Sequence, residues 1–194
     1  MRKLVEILHR EGEKVKGSRF VVDAFPANHA DLPSILSQVR GQYSDASHHC
    51  YAWRMNDGQC RSFDDGEPRG SAGPPILRRM EAMDIVDTLV VVTRYFGGTK
   101  LGVGGLIRAY GGAAACALEH GVFEETKELV RIVFYFSYTE SKAIQSVIAS
   151  RQLRDLHYEY QEEIRVEAQI SMDEEEDFRS LLMEKTSGRI RWEA

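Results

Sequence analysis

The sequence predicts a two-domain protein of the α+β class, divided near residue 125. Three observations carry that prediction. The final third alternates strand and helix patterns in the order βαββαβ, the split-βαβ or ferredoxin-like arrangement. The preceding part carries its own hydrophobic stripes, turns and helix starts, enough for a separate core. The two parts also differ in charge: residues 1–125 hold 15 basic and 16 acidic groups, net −1, and residues 126–194 hold 10 and 14, net −4.

Along the first part, residues 1–17 fit a helix or a strand equally well. Asp31-Leu32-Pro33 opens a helix with Leu32, Ile35, Leu36 and Val39 on one stripe and Gly41 as its stop. A hairpin follows, with arms 46–55 and 59–64 around Asn56-Asp57-Gly58. A two-residue Asp-Gly turn would set Arg54 opposite Arg61, an unfavourable like-charge pair. A three-residue turn instead pairs Arg54 with Cys60, Trp53 with Arg61 and Tyr51 with Phe63, and gathers Tyr51, Trp53 and Phe63 on one face. That register is preferred. Pro74-Pro75 suits a first helical turn ahead of the stripe Ile76, Leu77, Met80 and Met83. Residues 88–96 read as a buried strand, and 103–120 as a helix closed by Gly121.

In the second part Val130, Ile132, Phe134 and Phe136 alternate as a strand. Ser137-x-x-Glu140 matches a capping box ahead of the helical stripe Ile144, Val147 and Ile148. A weaker strand at 157–160 precedes the alternation Ile164, Val166, Ala168 and Ile170. Ser171-x-x-Glu174 then caps a helix carrying Phe178, Leu181 and Leu182, and 189–192 is a last short strand. The acidic run 173–177 complements that helix's dipole rather than holding a metal.

The whole chain has 194 residues and a net charge of −5, which argues against generic coating of nucleic acid while leaving room for a local basic patch. Charged residues interrupt the apolar ones near the N-terminus, so no signal peptide is expected, and no apolar run is long enough for a membrane span. Cys50, Cys60 and Cys116 are an odd number at no metal-ligand spacing, read as free thiols of a cytoplasmic protein.

The most informative stretch is RYFGGTKLGVGGLIRAYGG, residues 94–112, within a run from 88 to 118 that holds no acidic residue. It fits neither a Walker A loop nor a dinucleotide fingerprint, so no nucleotide cofactor is expected, and no metal either. On a helical wheel Val103, Leu106, Ile107, Tyr110, Ala113, Ala114, Ala117 and Leu118 form a core face. The opposite face holds Gly104, Gly105, Gly111, Gly112 and Ala115 around Arg108. Mid-helix glycines cost about 0.5–1 kcal/mol each against alanine, so a close approach is expected there. The approaching body is either another protein layer or a partner backbone, with phosphate the natural partner of Arg108. Gly97, Gly98 and Gly102, with Lys100 beside them, form either an anion cradle or a tight turn. Arg94, Gly97, Gly98, Lys100, Gly102, Gly104, Gly105 and Arg108 are thus the candidate nucleic-acid or anion site. A second cluster, Asp64, Asp65 and Glu67 with His49, fits acid–base or divalent-metal chemistry or a hydrogen-bonded β-turn.

Residues 16–20 (KGSRF), 48–52 (HHCYA), 64–73 (DDGEPRGSAG) and 91–110 (VVTRYFGGTKLGVGGLIRAY) resemble the YigZ/IMPACT family in its bacterial two-domain form. His49 stands where that pattern has Asn, and Ser71 where it has Thr. The resemblance implies that residues 1–125 form an IMPACT N-terminal-like domain. Its fold would be an α/β sandwich like a ribosomal-protein second domain and the fourth domain of elongation factor G. Residues 126–194 would form a ferredoxin-like domain resembling that factor's last domain. It also implies a cytoplasmic protein tied to translation or its regulation through RNA or the ribosome. A non-catalytic RNA-binding role leads the expectations. A metal-assisted hydrolase using Asp64, Asp65, Glu67 and His49, and a protein–protein adaptor, are the alternatives.

Overall fold

The computed structural model describes residues 1–12 and 14–193. The fold is a two-domain α+β architecture, and the chain separates into two compact units, Met1–Thr126 and Lys127–Ala194.

In the first unit the strands β1 (Arg2–Leu4), β2 (Leu8–Glu11) and β3 (Arg19–Pro26) precede helix α1 (Leu32–Gln42). The hairpin β4 (His48–Arg54) and β5 (Cys60–Phe63) follows, then α2 (Gly73–Ala82), β6 (Ile85–Val86), β7 (Thr88–Tyr95), α3 (Val103–Leu118) and β8 (Phe123–Glu125). Residues 1–17, open on sequence grounds, supply β1 and β2. The main sheet is antiparallel with strand order β2-β3-β7-β4-β5, and β6-β1-β8 form a small second sheet. The expected hairpin register is observed, with Tyr51 opposite Phe63 and their rings 5.3 Å apart.

The period of two along the central strand explains the layering. Val90 and Val92 face a core shared with Ile76 and Met80 of α2 and Leu106, Tyr110 and Ala114 of α3. Leu89 and Val91 face the opposite core, shared with Leu32 and Val39 of α1. The sheet is therefore sandwiched between α2/α3 and α1. Two local expectations are corrected. Helix α1 runs through Gly41, where a side chain would meet open space, and ends at Gln42 with Tyr43 as C-cap. Phe96 lies beyond β7 and is 49% exposed.

The second unit contains β9 (Leu129–Phe136), one 3-10 turn (Tyr138–Glu140), α4 (Ser141–Ala149), β10 (Arg154–Tyr160), β11 (Ile164–Ser171), α5 (Glu175–Lys185) and β12 (Arg191–Trp192). The sheet order β10-β11-β9-β12 sets the first and third strands of the βαββαβ series side by side at its centre, all pairs antiparallel. Ile132, Phe134, Val166 and Ala168 pack on Ile144 and Val147 of α4 and Phe178 and Leu182 of α5. Neither expected capping box closes. Ser137 Oγ pairs with Thr139 Oγ1 at 2.5 Å, Ser171 Oγ turns to Asp173, and both helices start later without a side-chain cap. Glu175, Glu176 and Asp177 occupy the first turn of α5, where they complement its dipole. Among the described residues no helix is long and apolar enough to cross a membrane.

Candidate functional site

Arg94 sits at the end of β7 with the same parity as Val90 and Val92, and that parity turns it inward. Its side chain is 5% exposed and donates from Nη1 to Glu67 Oε1 at 2.5 Å and from Nη2 to Ser18 Oγ at 3.1 Å. The guanidinium also lies over the rings of Phe20 and Phe96 at 5.8 and 5.5 Å. A surface role for Arg94 is thereby corrected: its Nη1 and Nη2 donate inside the fold, while its Nε is buried with no hydrogen-bond partner among the described residues. Tyr110 of α3 donates to the same Glu67 oxygen at 2.7 Å and accepts from Cys50 Sγ at 3.4 Å. Burial pushes the Tyr110 hydroxyl and the Cys50 thiol well above their ordinary ranges, so both stay protonated.

The acidic cluster does not converge. Asp64 accepts from the amides of Gly70, Ala72 and Gly73 at 2.8, 2.9 and 2.9 Å and so caps the start of α2 from outside the helix. Asp65 accepts from the His49 amide at 2.6 Å and from Arg40 at 3.1 Å. Glu67 points to Arg94. His49 uses Nε2–H on the Tyr43 carbonyl at 3.1 Å, and its Nδ1 stays 3.8 Å from Asp65. Three carboxylates engaged in three directions cannot share one metal ion or one proton-transfer path. Among the described residues no group of three His, Cys, Asp or Glu side chains is arranged to hold a metal.

The glycines divide by task. Gly97 lies against the Gly17–Ser18 backbone so closely that a Cβ there would sit 1.9 Å from the Gly17 carbonyl carbon; it is a packing glycine, not part of a cradle. Gly98 and Gly102 have φ of +85° and +72° with open space around them, as a loop reversal requires. Gly105 lets the Leu101 side chain fold beneath α3, and Gly111 is buried beside Pro75 and Arg79 of α2. Part of the expected approach surface is therefore helix–helix packing. Gly104 and Gly112 remain exposed. Val103, assigned to the core face by its position on the wheel, is 53% exposed because it starts the helix at the rim of the fold.

What stays on the surface is cationic. Lys100 and Arg108 are exposed, as are Arg78 and Arg79 on the neighbouring α2, and among the described residues none of the four has a carboxylate partner. The Arg108 guanidinium folds back over the first turn of α3, its Nη1 3.8 Å from where a Gly104 Cβ would be. Charge from the helix N-terminus and from two side chains thus gathers at one end of α3. Beside it lies a cleft of 370 Å³ lined by Phe96, Lys100, Leu101, Val103 and Leu106, with His48, Glu67 and Arg94 also on its walls. Sequence reasoning missed His48, Phe96 and Tyr110 as partners of this region; the parity of β7 was the available signal.

Residues 16–118, more than half of the chain, match the Impact N-terminal domain. The chain belongs to the IMPACT family. It is 35% identical to the IMPACT family member YvyE of Bacillus subtilis, over 90% of this chain and 82% of that relative. It is 28% identical to the IMPACT family member YigZ of Escherichia coli, over 92% and 90% of the two chains. A solved structure titled as the crystal structure of an hypothetical protein is similar with a TM-score of 0.71 at 26% identity, covering 100% of this chain and 96% of its own. The IMPACT-matching residues include the whole α2–α3 layer and the Glu67–Arg94–Tyr110 network beneath it.

Proposed function

We propose that this IMPACT family chain is a non-catalytic binding protein that holds the phosphate backbone of structured RNA, free or within the ribosome. The surface is the 97–102 loop and the exposed face of α3, with Lys100 and Arg108 as anchors. Arg94 is the buried brace that holds the end of β7, where that loop begins. The single observation that carries this reading is the pair of exposed, carboxylate-free cations at the N-terminal end of α3, inside a run with no acidic residue from 88 to 118. The overall charge of −5 makes such a run a local feature rather than a consequence of composition. The link to translation or its regulation rests on the family resemblance and on the likeness it implies to domains of elongation factor G. The divergence of Asp64, Asp65 and Glu67 gives the hydrolase alternative no geometric support.

Co-sedimentation with ribosomes tests the reading. The chain should pellet with them at about 0.05 M salt and be released at about 0.5 M, because counterion release makes phosphate binding steeply salt-dependent. Absence from the pellet at low salt, together with no binding to purified structured RNA, overturns it.

A further inference from the structure

The cleft beside Lys100 carries an inference that rests on the RNA reading and goes a step further. Glu67 lines it with a side chain that is 4% exposed. Both hydrogen bonds it accepts fall on Oε1, from Arg94 and from Tyr110, and Oε2 accepts none among the described residues. Oε2 is not one of the buried polar atoms that lack a partner, so it keeps access to the cleft and is free to accept from a donor bound there. His48 is held by Nδ1–H donating to the Asp65 carbonyl at 2.8 Å, which turns Nε2 to within 3.8 Å of Glu67. Toward the mouth the walls change character. Phe96 and Val103 are 49% and 53% exposed, next to Leu101 and Leu106, and folding gains little from leaving two large apolar side chains there. At the rim stand Lys100 and the start of α3 at Gly102 and Val103.

Read from rim to floor, the order is cation, apolar ring and hydrogen-bond acceptor, which matches phosphate, base and exocyclic amine. We propose that this cleft receives one unpaired nucleotide of the bound RNA. Its phosphate sits at Lys100 and the α3 N-terminus, its base lies against Phe96 and Val103, and its amine donates to Glu67 Oε2. A volume of 370 Å³ falls within the range of small-ligand sites. Unpaired bases are what proteins read in structured RNA, by stacking and by hydrogen bonds to base edges. Adenine, cytosine and guanine bring an exocyclic amine. Uracil offers only an imide N–H flanked by two carbonyls that face the carboxylate unfavourably, so it is the disfavoured base.

The test uses the full chain and three hairpin RNAs that differ at one position: fully paired, one bulged adenosine, one bulged uridine. Fluorescence anisotropy should show the adenosine bulge binding about five- to a hundred-fold tighter than the paired hairpin, the size of one stacked base, with the uridine bulge close to the paired one. Phe96→Ala, at a half-exposed position, should erase that preference, with folding checked separately because the Arg94 guanidinium lies over the Phe96 ring. Glu67→Gln should reduce it, with folding checked separately because Glu67 also pairs with Arg94. Arg108→Ala should weaken all three RNAs alike. Equal affinity for bulged and paired hairpins, or a preference unchanged by Phe96→Ala, overturns the cleft assignment and leaves the phosphate-binding face standing. If no RNA binds, AMP titrated alone decides the cleft separately. Shifts of the Phe96, Leu101 and Val103 amides by NMR uphold a nucleotide pocket without the RNA face, and no shifts overturn both.

Discussion

Replacing Glu67 by alanine should destabilise the first unit more than almost any other single polar change. The Arg94 and Glu67 side chains are 5% and 4% exposed and meet at 2.5 Å, and Tyr110, fully buried, donates to the same oxygen at 2.7 Å. Removing one partner of a buried pair costs about 3–5 kcal/mol because the other charge stays behind without compensation. The stranded Tyr110 hydroxyl adds a cost of about 1–3 kcal/mol. These do not sum fully, because Arg94 keeps Ser18 Oγ and the faces of Phe20 and Phe96 and can draw water from the cleft. A net loss of about 3–5 kcal/mol is expected, a large share of a typical domain's stability. Urea unfolding in a Trp192→Phe background leaves Trp53 as the only reporter, and the midpoint should fall by about 2–3 M. The double variant Glu67→Leu/Arg94→Met, which removes both charges, should recover at least half of the loss. A Glu67→Ala variant within about 1 kcal/mol of the parent refutes the reasoning, since the pair would then be neither desolvated nor structurally required.

Further outcomes follow from individual contacts. Gly97→Ala should displace the 97–102 loop and weaken RNA binding, because the Gly17 backbone blocks a Cβ at 1.9 Å, whereas Gly112→Ala should stabilise α3 by about 0.5–1 kcal/mol; urea titrations of both check this. In the second unit, hydrogen bonds from Arg131 and then Arg165 bring the Glu167 carboxyl down to about 2. A depressed folded-state pKa stabilises at neutral pH, and that contribution fades as the pH falls from about 4.5 toward 2. Glu167→Gln should therefore lose less stability than the parent between pH 7 and pH 3, measured as urea midpoints. Thiol titration of the native chain should label Cys60 and Cys116 rapidly and Cys50 only on unfolding, since Cys50 is buried and its thiol is pushed upward.

The elements legible in the sequence were those set by local rules. The hairpin register followed from keeping Arg54 away from Arg61, and the second unit from clean alternation along β9 and β11. The residues misplaced were those whose neighbours are remote in sequence. Arg94 looks like a surface charge until the parity shared with Val90 and Val92 is set beside a carboxylate 27 residues away. Gly97 looks like part of an anion loop because its reason, the backbone of Gly17, lies far upstream. The capping boxes failed for a smaller cause: Ser137 and Ser171 found nearer side-chain partners, and each helix began a few residues later. Of the proposed anchors, Lys100 and Arg108 lie on the surface where the sequence put them, because the start of α3 stands at the rim of the fold.

The central claim, that Arg108 holds phosphate, is tested most directly by the salt dependence of RNA affinity for the parent and for Arg108→Ala. The account predicts a loss of about 1–3 kcal/mol for the variant, with unfolding stability unchanged and Arg108→Lys restoring only part of the affinity. It also predicts that the slope of log affinity against log salt shrinks by about one. An Arg108→Ala variant that binds structured RNA with the same affinity and the same slope as the parent contradicts it.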